Sequence, residues 1–174
     1  MAKAEILFKV IRKWEGGWSD HKNDRGGKTN MGITLATWKS CGYDKDGDGD
    51  IDADDLRMIT PDDVFYVFKK YYWDRYQADF IHNQSIANIC VDWVWASGSP
   101  GITRVQQLLQ IKADGIVGPQ TIASINLSNQ RQLFEAIKAA RVQFVEEICK
   151  KDSSQLVFRK GWLNRINDFK FATH

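Results

Sequence analysis

No stretch of the sequence approaches the roughly 20 consecutive apolar residues that a membrane span requires, which excludes stable membrane insertion. The first residues, Met1 to Val10, carry charges inside their apolar portion and offer no small-residue cleavage site, so they do not read as a secretory signal. Cysteine is scarce: Cys41, Cys90 and Cys149 are odd in number, widely spaced and without a Cys-x-x-Cys pair. Cys90 and Cys149 sit in apolar helical contexts and read as buried thiols. The three histidines are scattered, which excludes a zinc site. Internal repeats, low-complexity runs and convincing strands are missing too. What remains is a mainly α globular chain of 174 residues, 43% hydrophobic and 26% charged, the size of one compact domain or of one domain with a small appendage.

Charge is present but unevenly spread. The net charge is +2, yet residues 44–55 hold seven Asp against one Lys, so the rest of the chain is basic. Such a body suits an anionic polymer, or is the ordinary solvated side of its helices. No recognition motif accompanies the charge, so nucleic acid is not an expected partner.

The chain is organised around Trp14-Glu15-Gly16-Gly17-Trp18-Ser19-Asp20 and the following Asn23-Asp24-Arg25-Gly26-Gly27-Lys28-Thr29-Asn30-Met31-Gly32-Ile33-Thr34. A helix over residues 2–14, with Ile6, Leu7, Val10, Ile11 and Trp14 on one face, runs into it. Gly16-Gly17 is expected to supply the left-handed residue that stops this helix. Glu15 then faces the negative helix end between Trp14 and Trp18, a setting suited to a carboxyl that keeps its proton, as a glycosidase general acid must.

The pattern Glu-Gly-Gly-aromatic, then Asp-x-Gly-Gly-x-Thr-x-x-Gly-Ile-Thr, resembles the signature of glycoside hydrolase family 108, the lysozyme-like N-acetylmuramidases of phages and bacteria sometimes described as secretion activators. Glu15, Gly16, Gly17, Trp18, Asp24, Gly26, Gly27, Thr29, Gly32, Ile33 and Thr34 carry it. Arg25 stands where the family usually has proline. The resemblance implies a lysozyme-like helical fold, with Glu15 as the catalytic glutamate and peptidoglycan glycan strands as substrate. Asp24 or Asp20 is expected to orient water or stabilise oxocarbenium charge, with Thr29 orienting either carboxyl; alternatively Asp24 only holds the loop through backbone N–H bonds. A short hairpin in the glycine-rich loop would suit such a fold.

The second motif is Asp44-Lys-Asp46-Gly-Asp48-Gly49-Asp50-Ile51-Asp52-Ala-Asp54-Asp55. Asp44, Asp46 and Asp48 fall at positions 1, 3 and 5 of a calcium loop, Gly49 at the sharp turn of position 6, and Asp50 offers its carbonyl at position 7. Ile51 is apolar at position 8, Asp52 acts through water at position 9, and Asp55 takes position 12, where Glu is usual. The loop resembles an EF-hand or dockerin-type site, and a structural Ca2+ is the expected cofactor.

Further on, short helices are expected over residues 35–40, ended by Gly42, and after Thr60 as cap with Pro61 first in the helix. Tyr72-Trp73-Asp74 matches the family at the same place; Tyr72, Trp73 and Trp18 are candidate sugar-stacking residues, while for most aromatics at this helical spacing core packing is the more common job. Residues 85–96 read as the central buried helix, with Asp92 either paired in the core or lining the cleft. Ala96 replaces an asparagine that the family shows there. The segment Ser97-Gly98-Ser99-Pro100-Gly101 reads as a boundary between a catalytic region, 1–97, and a helical region, 98–174, packed into one compact unit. Asp114-Gly-Ile-Val-Gly-Pro-Gln-Thr121 resembles a peptidoglycan-binding motif, with Asp114 and Thr121 as candidate binding residues; the same turn also serves simply to join two helices. Two long helices follow, one capped near Ser128 and one over residues 158–169.

These readings converge on a peptidoglycan hydrolase made in the cytoplasm, of phage, prophage or cellular origin, and released to the wall through a holin, lysis or a secretion system. The rival is a non-catalytic wall-binding or secretion-assisting protein using the same groove.

Overall fold

The computed structural model describes residues 1–173, and among them α-helix dominates. The elements run α1 (Ala4–Trp14), β1 (Thr29–Asn30), β2 (Ile33–Thr34), α2 (Leu35–Cys41), α3 (Ala53–Arg57), α4 (Pro61–Phe68), α5 (Gln84–Ser97), α6 (Pro100–Leu108), α7 (Pro119–Leu127), α8 (Gln130–Lys151) and α9 (Leu156–Asp168). A π-helical turn, Lys69–Trp73, follows α4 directly, and 3-10 turns occupy Ala78–Phe80 and Ser153–Gln155. No helix among the described residues is long and apolar enough to cross a membrane.

The chain divides into two compact units. One is Phe8–Tyr71; the other joins Met1–Leu7 to the chain from Tyr72 on. The boundary expected at 97/98 is therefore not where the compact units part. The reason is local: α5 and α6 lie against each other, and a Cβ at Gly101 would stand 2.6 Å from the backbone nitrogen of Val94. The Ser97–Gly101 segment is a tight corner between packed helices.

In the Phe8–Tyr71 unit, Ile11, Ile33, Trp38, Leu56, Ile59, Val64, Val67 and Phe68 are buried. Phe8 meets the ring of Phe65 edge-on at 5.0 Å. The hairpin β1–β2 pairs Thr29 with Thr34 and Asn30 with Ile33. Its turn is Met31-Gly32, both at positive φ, +51° and +86°, the two-residue geometry that matches strand twist. Thr34 ends β2 and caps α2 through Thr37. Gly42 ends α2 in extended backbone, φ −94°, and is glycine because a Cβ would stand 2.3 Å from the Trp38 ring. Thr60 and Asp63 form a capping box at the start of α4, with Pro61 in its first turn.

In the other unit, α5 is buried nearly all round, and α8 packs against both α5 and α9. Asp92 is fully buried, with Arg141 of α8 at 3.0 Å and Arg165 of α9 at 2.7 Å. Of the alternatives for Asp92, core pairing is the one observed. Arg141, on sequence part of a solvated basic face, is 3% exposed. Burial alone would raise the Asp92 carboxyl, but the guanidinium groups of Arg165 and then Arg141 outweigh it and hold the group below its ordinary range. The cap of α8 is Asn129 rather than Ser128, accepting from Gln132 N.

Candidate functional site

The site is assembled from three loop segments of the Phe8–Tyr71 unit. Helix α1 ends at Trp14, and the next amide, Glu15 N, still donates to Ile11 O at 2.9 Å, so Glu15 sits at the margin of the last turn. Its side chain is half-buried. Neither Gly16 nor Gly17 has positive φ, so the expected left-handed stop is not what ends α1. A Cβ built on either glycine meets nothing within 4 Å.

Three residues on, Ser19 exchanges two 2.8 Å backbone bonds with Thr29 and so lies against the outer side of β1. This returns the chain toward α1 and brings the hairpin turn onto Glu15. A Cβ at Gly32 would stand 2.7 Å from Glu15 Cδ and 2.9 Å from its Oε2. Glu15 and Gly32, far apart in the motif, are thus in contact.

Asp24 is half-buried and its carboxylate Oδ1 accepts from Gly26 N at 2.8 Å, while its backbone closes turns with His21 O and Gly27 N. Asp24 therefore does hold the loop. Asp20 is exposed. Thr29 joins the site through its backbone bonds to Ser19, and the carbonyl of the preceding Lys28 accepts from Leu35 N. Trp18 is half-buried, with the Arg57 guanidinium over its ring at 4.1 Å.

Sequence reading missed the residue that fixes the hairpin. Asn30 is 5% exposed, and its Nδ2 donates to Leu56 O at 2.8 Å and Arg57 O at 3.4 Å, the last carbonyls of α3. Its only signal was a polar side chain at a buried strand position.

The acidic loop leads into that same α3. Asp55 is fully buried: Oδ1 accepts from Lys45 N and Asp46 N, and Oδ2 from Asp52 N, so it ties the head of the loop to its tail. Asp52 and Asp55 also form the capping box of α3. Asp44 accepts from Gly47 N and Gly49 N, with Gly49 at φ +100°. Carboxylate oxygens of Asp44, Asp46 and Asp48 lie within 4.8 Å of one another, and those of Asp50, Asp52 and Asp55 form a second such group. The Asp48 carboxylate, with burial and the other aspartates, pushes Asp50 up from its ordinary value. Lys45 reaches out of the loop to Asp63 of α4 at 2.7 Å.

The candidate residues of the second unit are described separately. Trp73 is fully buried and its Nε1 donates to Asp79 at 2.7 Å, so it presents no face for a sugar and is a packing residue. Tyr72 is half-buried, edge-on to Trp95 at 4.8 Å. Thr121 is 3% exposed, which removes it as a surface binding residue. Gln106 of α6 explains its burial. The Gln106 Nε2 donates to Asp114 Oδ1, Ile116 O and Thr121 Oγ1, and its Oε1 accepts from Gly115 N. Asp114 is exposed, but its Oδ1 is engaged by Ile116 N and Gln106, which lower its carboxyl from the ordinary value. The motif thus closes its own turn.

With this geometry in place, comparison with known proteins is informative. The Glycosyl hydrolase 108 family model matches residues 8–98, more than half of the chain. The model described as Predicted Peptidoglycan domain matches residues 101–167. The two meet at the Ser97–Gly101 corner. None of the curated proteins matches the chain. Among solved structures, SagA of Brucella abortus shares the fold, with 24% identity and a TM-score of 0.78 over 94% of this chain and 89% of that one. The fold is thus mainly α and lysozyme-like. The chain belongs to glycosyl hydrolase family 108 and is a cell-wall-related, glycosyl-hydrolase-like protein.

Proposed function

We propose that the chain is an N-acetylmuramidase that hydrolyses the glycan strand of peptidoglycan, with Glu15 as general acid. The observation that carries this reading is the seat of Glu15: a half-buried carboxyl at the end of α1, packed against the hairpin turn that the family motif supplies. Glu15 gives its proton to the glycosidic oxygen as the bond to the anomeric carbon breaks. Asp24, whose Oδ1 accepts from Gly26 N, is the first choice for the second carboxylate that orients water or stabilises oxocarbenium charge. Asp20 is the alternate. The anomer released identifies the geometry: carboxyl groups about 5–5.5 Å apart retain configuration, and about 6.5–9.5 Å apart invert it. Within the Glu15 unit, Trp18 is the candidate for stacking on the sugars; Tyr72 is a separate candidate in the other unit. The region matched by the peptidoglycan model adds affinity for the wall.

The test is incubation with purified peptidoglycan and mass spectrometry of the soluble fragments. Fragments ending in reducing N-acetylmuramic acid, absent with Glu15→Gln, support the reading. A protein that sediments with the wall and releases nothing is a binding or secretion-assisting module instead.

The same proposal includes a structural Ca2+ in the Asp44–Asp55 loop. Its support is the register of oxygens, the positive-φ Gly49 and the closure by Asp55. Asp44, Asp46, Asp48, the Asp50 carbonyl, Asp52 and Asp55 would hold the ion, within the six to eight oxygens calcium takes. Titration calorimetry with Ca2+ against Mg2+ tests it. Binding lost in Asp48→Ala supports the site, and no heat from either ion sinks it.

A further inference from the structure

We propose that Gly32 is a positioning residue for the Glu15 carboxyl, a role that rests on the reading of Glu15 as the acid. The glycines of the motif do different things. A Cβ on Gly16, Gly17 or Gly27 would enter open space. A Cβ on Gly26 would stand 3.0 Å from Thr34 Cγ2 and 3.2 Å from Asp24 Oδ1. At Gly32 it would fall 2.7 Å from Glu15 Cδ, 2.8 Å from Cγ and 2.9 Å from Oε2. The carboxyl fills the volume in which any other residue would place its first side-chain atom.

The backbone already favours glycine here: Gly32 has φ +86°, where any L side chain is strained, whereas Met31 at φ +51° lies in the left-handed region that other residues can occupy. The close approach of the carboxyl is a second, separate requirement, and it points at the proposed catalytic group.

What yields when a Cβ is added follows from how each side is held. The hairpin is fixed by Ser19–Thr29 backbone bonds and by the Asn30 amide on the end of α3. The obstructing atoms, Glu15 Cγ, Cδ and Oε2, are side-chain atoms carried on rotatable bonds. The carboxyl is therefore expected to give way before the backbone of the turn does. A misplacement of about 1 Å at a reacting group costs on the order of 10²-fold in rate.

The experiment is a double-mutant cycle of Gly32→Ala with Glu15→Ala, read by Tm, alongside kcat and KM on peptidoglycan for wild type, Gly32→Ala and Glu15→Gln. Gly32→Ala is expected to lower kcat on the order of 10²-fold with KM nearly unchanged. Its Tm loss should be larger in the Glu15 background than in the Glu15→Ala background, because truncation vacates the contested volume. Should Gly32→Ala alone not fold, recovery of a cooperative transition in the double variant supports the same contact. Equal Tm losses in both backgrounds, or wild-type kcat in Gly32→Ala while Glu15→Gln is inactive, overturn the positioning role and leave the muramidase reading standing. An active Glu15→Gln, or a wild type that releases no fragments, overturns both.

Discussion

The side-chain amide of Asn30 bridges 26 residues of sequence to donate to the carbonyl of Leu56 at 2.8 Å, in a buried site. One bond therefore couples the hairpin bearing Gly32 to the short helix that Asp52 and Asp55 cap. In Asn30→Ala the Leu56 carbonyl is left buried without this donor, at a cost of about 1–3 kcal/mol. The hairpin also loses its tie to α3. Denaturant melts measure the first effect. The second should appear as a fall in wall-lytic rate exceeding that in Arg57→Ala, which removes only the stacking on Trp18.

Asp92 governs acid stability in its unit. Its carboxyl is held low by Arg165 and Arg141, so the folded state favours the charged form. That contribution is complete above the ordinary carboxyl value of about 3.9 and is lost as pH falls through the lower folded value. Asp92→Asn leaves two guanidinium groups without their shared anion and is expected to destabilise at pH 7 by about 3–5 kcal/mol. Melts from pH 7 down to pH 2 should show a shallower acid limb for the variant than for wild type.

Variants at Tyr72 and Trp73 test wall contact against packing. Trp73→Phe removes the donor to Asp79 and part of a buried ring, and should lower stability by about 1–3 kcal/mol with wall affinity unchanged. Tyr72→Ala should weaken sedimentation with peptidoglycan at a smaller stability cost. Equal loss of wall affinity in both variants would return Trp73 to the binding surface.

The three thiols should label unequally. Burial pushes Cys90 up to about 12, and Cys149 is 6% exposed, whereas Cys41 is only half-buried. Iodoacetamide at pH 8 is expected to modify Cys41 alone in the native protein and all three after denaturation. Peptide mass spectrometry reads the pattern.

The local grammar of the chain was legible from sequence. Thr60-Pro61-Asp62-Asp63 announced the start of α4, and Thr34 the start of α2, because a cap acts within three residues of itself. The hairpin was not legible in this way: only the family resemblance suggested it, because its strands are two residues each. Nor were the tertiary uses of polar side chains. Asn30, Gln106, Arg141 and Arg165 each act on partners set by packing, and nothing in their own neighbourhood distinguishes them from surface residues. The glycines divide likewise: the double glycine after Glu15 looked like a helix stop, while the glycine that meets Glu15 lies in a turn that only the folded chain brings there. Asp114 and Thr121 were prominent as a motif, yet Thr121 is enclosed by the turn the motif builds.

The Met31-Gly32 turn also has a consequence for the order of assembly. Its strands are two residues each, and a methionine occupies a left-handed position where asparagine is favoured, so the hairpin has little drive to form alone. Its formation is expected to follow that of α3, which receives Asn30. The turn facing Glu15 is accordingly expected to consolidate late in its unit. Its amides should exchange with solvent sooner than those of α4.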